Sequence, residues 1–131
     1  MKYLLDTDIS SYFLRGRHNL DKIFEEKGFD NLTLSIINVA ELKVLAHKNP
    51  QSVINLSKIH SFCQLLEVLH VDPDTWEIYS KMKADTLTRG KKRGDLDILN
   101  ASLASQHNLI IVTNNVSHYN DLVQVENWTR N

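Results

Sequence analysis

Three carboxylates occur in stretches of the sequence whose other residues suggest buried structure. Asp6 ends a short apolar run, Glu41 lies within the mainly apolar stretch 36–42, and Asp97 stands near the start of the most apolar stretch of the chain. A buried carboxylate without a partner is costly, so such groups are paired, protonated or bound to a metal ion. Carboxylate oxygens suit Mg²⁺ or Mn²⁺ rather than zinc, and Mg²⁺ commonly bridges to substrate phosphates. The three acids are therefore candidate metal ligands.

Structural roles compete with this interpretation at each acid. Glu41 could form an ion pair with Lys43 or Arg93 across the fold. Asp95 stands at the probable start of a helix, where an N-cap role is sufficient, and Asp8 has the same interpretation. The six histidines are scattered along the sequence, which is more typical of surface or core positions than of metal ligands.

A basic segment precedes the third acid. It contains Arg89, Lys91, Lys92 and Arg93, which could contact the phosphates of a nucleic acid and make binding dependent on salt. The alternative is a solvated loop that binds nothing. Because the formal net charge of the chain is −1, nucleic-acid binding would need a local patch of this kind or bound metal ions.

The elements that must position these residues alternate along the chain. We expect strands at 3–5, 32–34, 68–71, 109–112 and 123–125, and helices at 9–14, 21–27, 36–47, 53–66, 76–87 and 96–106. This alternation predicts an α/β sandwich with a mainly parallel central sheet of four to five strands flanked by helices. Ligands bind outside the carboxyl ends of such strands. Asp6, Asn114 and Asn115 follow two of the strands, so we expect them at the same edge.

Length and composition indicate one globular domain spanning residues 1–131. The chain is 42% hydrophobic and 24% charged, which is close to the average for globular proteins. The single cysteine, Cys63, lies in an apolar stretch, excludes an intrachain disulfide and fits a reducing cytoplasm. No stretch approaches the ~20 apolar residues needed to cross a bilayer, and the N-terminal apolar run is too short for a signal peptide. We therefore expect a cytoplasmic protein without membrane contact.

Four segments, in this order, resemble the PIN-domain family and, within it, the VapC toxins. They are Tyr3-Leu-Leu-Asp-Thr-Asp-Ile, Ser35-Ile-Ile-Asn-Val-Ala-Glu-Leu, Gly94-Asp-Leu-Asp-Ile-Leu-Asn-Ala-Ser-Leu-Ala and Val112-Thr-Asn-Asn-Val-Ser-His-Tyr. The tail 125–128 resembles the family's closing strand. No single segment is specific, but the four together at this spacing are. In the third segment the family's acid aligns with Asp97 rather than Asp95.

The resemblance implies a PIN-like sandwich and an endoribonuclease that cuts structured RNA such as tRNA or rRNA. It also implies Mg²⁺ or Mn²⁺ as the cofactor, a homodimer, and neutralisation by a small VapB-like antitoxin. In this interpretation Asp6 and Asp97 hold the metal, and Glu41 completes its shell or takes a proton from the attacking water. The apolar helix expected at 53–66 is a candidate dimer surface.

One position departs from the family's pattern. Many relatives carry a fourth acid where this chain has Asn115, which could bind a metal through its carbonyl or orient a water molecule. Thr113 could help to position the cluster. The substitution motivates an alternative in which the chain is a PIN-like module that binds RNA or protein without cleaving it.

A second alternative is a phosphatase of the haloacid dehalogenase kind. The residues 6–10 superficially resemble its nucleophile motif, and 32–35 could pass for its second motif. This interpretation leaves Glu41 unexplained, and it would place Asp95 and Asp97 after a strand, whereas they follow a basic loop.

Overall fold

The computed structural model describes residues 1–129, which form a five-stranded parallel sheet flanked by six helices. The strands are β1 (Tyr3–Leu5), β2 (Leu32–Ser35), β3 (Glu67–Leu69), β4 (Ile110–Val112) and β5 (Val125–Glu126). The helices are α1 (Thr7–Leu14), α2 (Leu20–Lys27), α3 (Ile36–Lys48), α4 (Leu56–Cys63), α5 (Pro73–Thr88) and α6 (Asp95–Gln106), with 3₁₀ turns at Phe29–Asn31 and Val116–His118. The α/β fold class and the parallel sheet expected from the sequence are confirmed.

The order of the strands across the sheet is β3-β2-β1-β4-β5, and every pairing is parallel. The chain therefore builds outward from β1 in one direction and later returns to build outward on the other side. The strand order reverses between β1 and β4, and crevices at such switch points are where open α/β sheets bind ligands. Asp6 and Thr113 directly follow these two strands.

Both faces of the sheet are covered, because neighbouring residues of a strand point to opposite sides. Leu5 and Leu34 pack with apolar side chains of α1 to α4, including Phe24 and Phe62. Leu4 belongs to a second apolar cluster, with side chains of α6. This two-sided burial explains why the strands are almost entirely apolar. It also explains why a carboxylate that directly follows β1 lies at the edge of the core.

Helix caps determine several helix boundaries that were predicted incorrectly from the sequence. The expectation that Asp8 caps α1 is wrong: Asp6 is the N-cap, and its side chain accepts a hydrogen bond from the backbone of Thr7. Asp95 is not an N-cap either, because Gly94 has that position and Asp95 begins the helix. Asp8 and Asp95 instead stand in the first turns, where a negative charge interacts favourably with the helix dipole.

The helix expected at 53–66 is shorter than its apolar pattern suggested. Asn55 accepts a hydrogen bond from the backbone of Lys58 and so starts α4 at Leu56, and the helix ends at Cys63. Ile54 is fully buried although it lies outside the helix, which explains why its apolar character was misleading. Within the described part of the chain, we find no helix with the length and apolarity that a membrane crossing requires.

Strand pairing sets the remaining boundaries. β3 was expected at 68–71 but runs from Glu67 to Leu69, because its partner β2 ends at Ser35, opposite Leu69. β5 was expected at 123–125 and consists of Val125–Glu126, which pair with the last two residues of β4. In both cases hydrophobicity predicted the strand, and the neighbouring strand determined where it begins and ends.

Candidate active site

Asp6 is the best-buried acid of the site. Its side chain is 8% exposed, and its Oδ2 atom accepts a hydrogen bond of 2.9 Å from the Thr113 hydroxyl, which follows β4. Burial, reinforced by the nearby charge of Asp8, raises the pKa of Asp6 to about 6. The Thr113 hydroxyl thus links the residues that follow β1 and β4.

Asp8 is held by the segment after β4. Its Oδ2 atom accepts hydrogen bonds from the backbone N–H of Asn114 at 2.9 Å and from the Asn115 side-chain amide at 3.3 Å. Burial raises the pKa of Asp8, and the hydrogen bonds partly offset this. Asn115 thus turns its donor group towards an acid, an arrangement that an acidic residue at this position could not make without a proton.

Glu41 reaches the same edge from α3. Its Oε1 atom accepts a hydrogen bond of 2.7 Å from the Thr7 hydroxyl, which in turn accepts one of 3.1 Å from the Asn38 amide. Within residues 1–129 Glu41 forms no ion pair with Lys43 or Arg93, so the structural alternative for this acid is not found. The Asn38 amide also lies 3.5 Å from Oδ1 of Asp6, so it links the first and second acids.

Asp97 faces Asp6 across a tyrosine that sequence reasoning missed. The Tyr119 hydroxyl lies 3.0 Å from Oδ1 of Asp97 and 3.2 Å from Oδ1 of Asp6. Burial, followed by the charges of the two carboxylates, raises the pKa of Tyr119, so the hydroxyl keeps its proton. His118 also contributes, with its Nδ1 atom 3.1 Å from Oδ2 of Asp97. Both residues lie in the segment 112–119 that resembles the family, but nothing in that segment marked them as contacts of Asp97. The contacts join α6 to the end of the 3₁₀ turn after β4.

The three candidate ligands share one cavity of about 440 Å³, which is also lined by Asp8, Asn115 and His118. Asp95 lies elsewhere: it accepts hydrogen bonds from the Tyr79 hydroxyl at 2.9 Å and from Lys83 at 2.7 Å. Two residues along a helix correspond to a rotation of about 200°, which separates the environments of Asp95 and Asp97. The choice of Asp97 as the third acid agrees with this geometry.

The chemistry of this donor set fits a hard cation. The carboxylates of Asp6, Glu41 and Asp97 offer only oxygen atoms, and no Lys or Arg among the described residues pairs with them. The single proton of Tyr119 can be donated to only one of its two carboxylate contacts, so the other carboxylate receives no hydrogen bond from this hydroxyl. Among residues 1–129, however, no three His, Cys, Asp or Glu side chains already stand in an arrangement that could hold a metal ion.

The basic segment is largely neutralised. Asp121 contacts Lys91 at 2.6 Å, Arg93 at 2.5 Å and Arg89 at 3.8 Å. The hydrogen bonds from Arg93 and Lys91 hold the pKa of Asp121 well below its usual range. The Arg93 side chain is only 6% exposed. Lys92 forms no ion pair within the part of the chain that the structure describes.

A second cavity, of about 400 Å³, adjoins the first. It is lined by Lys91, Lys92 and Arg93 on one side and by Asp97 and His118 on the other. Asp97 and His118 border both cavities. The basic residues thus lie beside Asp97, one of the three acids.

Comparison with known proteins gives consistent results in sequence and structure. The family model described as PIN domain matches residues 3–120. Ribonuclease VapC2 of Haemophilus influenzae is 31% identical over 98% of both chains, and the tRNA(fMet)-specific endonuclease VapC of Salmonella typhimurium is 24% identical over 98% of both. Among solved structures, the DNA-bound VapBC complex from Salmonella typhimurium contains a chain that is 25% identical, with a TM-score of 0.88 and 98% of each chain covered.

Proposed function

The chain belongs to the PIN-domain family, and from that premise we propose that it is an endoribonuclease toxin dependent on Mg²⁺ or Mn²⁺. Its substrate is structured RNA such as tRNA or rRNA. The observation that carries the proposal is the convergence of Asp6, Glu41 and Asp97 on one cavity, with no Lys or Arg among residues 1–129 paired with them. The relatives named as a ribonuclease and as a tRNA-specific endonuclease support RNA as the substrate.

Asp6 and Asp97 are the residues that hold the metal, and Glu41 completes the set. When bound, the metal supplies a Lewis acid for the phosphate and lowers the pKa of a water molecule. Thr7 occupies one oxygen of Glu41 and leaves the other available to accept the proton of the attacking water. Thr113 and Tyr119 hold the carboxylates of Asp6 and Asp97 in place.

RNA reaches this acidic cavity with help from the adjoining basic one. Lys92 is the strongest candidate for a phosphate contact, because it lines the second cavity and has no ion pair within residues 1–129. Lys91 and Arg89 contribute where an RNA phosphate competes with Asp121. Arg93 serves mainly to anchor the loop, since its guanidinium is buried against Asp121.

The partners we propose are a VapB-like antitoxin and a second copy of the chain. The similar chain of the Salmonella typhimurium structure is part of a VapBC complex with DNA. The apolar side chains that α4 and its flanks expose, including Val53, Leu56 and Leu65, remain our candidate for the dimer surface. A mass corresponding to the monomer at micromolar concentration would contradict dimerisation. Harmless expression of the chain alone would contradict the toxin role.

The test of the proposed function is cleavage of total cellular RNA by the purified chain with Mg²⁺, with Mn²⁺ and with EDTA. We expect discrete fragments that disappear with EDTA and with Asp97→Asn. The matched control is Asp95→Asn, which makes the same chemical change two residues earlier and should cleave as the wild type does. Equal loss in both variants would point to damage of α6 rather than to a catalytic role for Asp97.

The same experiment separates the alternatives. RNA binding without cleavage at any Mg²⁺ or Mn²⁺ concentration would favour the non-catalytic module, for which Asn115 remains the motivation. Hydrolysis of a generic aryl phosphate that is lost with Asp8→Asn would favour the phosphatase.

A further inference from the structure

The cavity that holds the acids continues along α1 beyond them. Asp8, Ser11, Tyr12 and Arg15 all line it, and their spacing of i, i+3, i+4 and i+7 places them on one face of the helix. One wall of the cavity thus changes from carboxylates at the start of α1 to an aromatic ring and a guanidinium at its end.

Arg15 is available to an anion. Its side chain is exposed, and within residues 1–129 it forms no ion pair, so it lies beyond 4 Å from every carboxylate oxygen of the site. Among the described residues that line the cavity it is also the one Lys or Arg. Seven residues of helix separate it from Asp8, which corresponds to about 10 Å. This backbone distance exceeds the rise of about 3.4 Å between stacked nucleotides, so the cavity wall along α1 is long enough for more than one nucleotide.

Tyr12 offers an aromatic surface between the acids and Arg15. Its side chain is half-buried and packs against the main apolar cluster, and its ring contacts the edge of His18 at a centroid distance of 4.7 Å. A ring supported in this way loses little freedom when a base or ribose stacks on it. Stacking on aromatic rings and phosphate contacts from arginine are the two interactions by which proteins hold unpaired nucleotides.

We propose that Tyr12 and Arg15 form a subsite for an RNA nucleotide next to the one whose phosphodiester is cut. The Arg15 guanidinium contacts its phosphate, and the Tyr12 ring contacts its base or ribose. The inference rests on the proposed function, since it takes the acids as the place of cleavage. It also gives each of the two adjoining cavities a basic residue that can contact the RNA strand. Arg15 lines the first cavity, and Lys92 lines the second.

The test measures binding and cleavage with the full chain. Binding of a fluorescently labelled single-stranded RNA hexanucleotide is followed in EDTA across a salt series, for the wild type, Arg15→Gln and Arg17→Gln. Arg17 is the matched control, because it is exposed, has no ion pair within residues 1–129 and does not line the cavity. We expect the negative slope of log affinity against log salt to become shallower by about 0.7 with Arg15→Gln and by less with Arg17→Gln.

Tyr12 is tested by a graded pair of variants. Tyr12→Leu removes the ring and should weaken binding by at least about fivefold, and more than Tyr12→Phe, which keeps it. In cleavage assays with Mg²⁺, Arg15→Gln should raise KM and change kcat little, because the subsite binds substrate without touching the reacting atoms.

The outcomes separate the subsite from the proposed function. If the wild type cleaves RNA but Arg15→Gln binds as the wild type or only as weakly as Arg17→Gln, the subsite is wrong and the function stands. If the wild type binds but does not cleave, the function is wrong, and a selective defect of Arg15→Gln still supports the subsite. If the wild type neither binds nor cleaves RNA, both are wrong.

Discussion

At the scale of single residues, the Tyr119 hydroxyl lies between two carboxylates of the site. It contacts both Asp6 and Asp97 but can donate its proton to only one of them. We expect Tyr119→Phe to weaken Mn²⁺ binding and slow cleavage by about 10- to 100-fold, as is usual when a residue that orients metal ligands is lost. Isothermal titration calorimetry measures the Mn²⁺ affinity independently of activity.

The control for Tyr119 is Tyr79→Phe. The Tyr79 hydroxyl also donates to an aspartate, but to Asp95, which lies outside the cavity. Its loss should leave Mn²⁺ affinity unchanged. An unchanged Mn²⁺ affinity in Tyr119→Phe as well would show that the hydroxyl has no influence on the carboxylates as metal ligands.

Asp6 makes the free energy of unfolding of the metal-free protein dependent on pH. Its pKa of about 6 in the fold exceeds the value of 3.8 expected for an unfolded chain, which corresponds to about 3 kcal/mol. Between these values the folded carboxyl keeps a proton that the unfolded one has lost. The free energy of unfolding therefore falls as pH rises through this window and stays lowered above about pH 6.

Asp6→Asn should consequently stabilise the protein in EDTA at pH 7.5, by about 1–2 kcal/mol. The gain is less than 3 kcal/mol because the hydrogen bond from Thr113 to an ionised oxygen is lost. Asparagine caps a helix as well as aspartate does, so α1 is retained. Urea unfolding at pH 7.5 and pH 4 measures the difference, which should vanish at the lower pH.

Asp72→Asn is a control of opposite sign. Asp72 also caps a helix, but the hydrogen bond from the Thr75 backbone, followed by one from Gln106, lowers its pKa. Its substitution should therefore not stabilise the protein at pH 7.5. A loss of stability in Asp6→Asn under the same conditions would contradict the argument from burial.

The sequence named the three acids and Thr113 as candidates for the site, but it did not mark Thr7, Asn38 or Tyr119. Asp6, Glu41 and Asp97 each interrupt an apolar stretch, which is a local signal. The contacts of Tyr119 with Asp6 and of Thr7 with Glu41 span 113 and 34 positions. They depend on which strands are neighbours, and no local pattern contains that information.

At the scale of elements, the sequence predicted whether a segment is a helix or a strand better than it predicted the segment's first and last residues. Helical periodicity predicted α3 and α6 almost to the residue, because each has one long continuous pattern. α1 begins earlier than expected, because Asp6 directly follows β1 and already caps the helix. β3 and β5 were displaced because the ends of β2 and β4 determine them.

The basic loop before α6 is restrained by Asp121 rather than freely solvated. Asp121→Asn should release Lys91 and deprive the buried Arg93 of its counter-charge. We expect tighter RNA binding, with a salt slope steeper by about 0.7 for each cation released, and a loss of about 1–2 kcal/mol in the free energy of unfolding. RNA titrations across a salt series and urea unfolding measure the two effects.

Asp85→Asn provides the comparison for this loop. Asp85 pairs with Arg89 at 3.2 Å on the surface of α5, where both side chains are half-exposed. Exposed pairs of this kind contribute little, so stability should change by less than about 0.5 kcal/mol. If Asp121→Asn weakened RNA binding instead, the loop would depend on Asp121 for a conformation that RNA requires.

At the scale of the whole molecule, the fold concentrates negative charge beside the two strands β1 and β4, whose faces are both covered by the core. The two apolar clusters fix both faces of β1 and β4. Asp6 directly follows β1, and Glu41 and Asp97 reach the same cavity from α3 and α6. A protein that keeps carboxylates in such a place without a cation sacrifices stability, as the pKa of Asp6 shows. Occupation of the site by a metal should restore it.

Mn²⁺ should therefore raise the thermal midpoint of the chain. A ligand that binds only the folded state at 100 times its dissociation constant adds about 2.7 kcal/mol, which for a chain of this size corresponds to about 10 °C. Differential scanning calorimetry should show this increase for the wild type and for Asp95→Asn, and little of it for Asp97→Asn, which removes a ligand. An equal increase in all three would place the stabilising ion elsewhere on the molecule, because Asp97 lines the cavity and Asp95 does not.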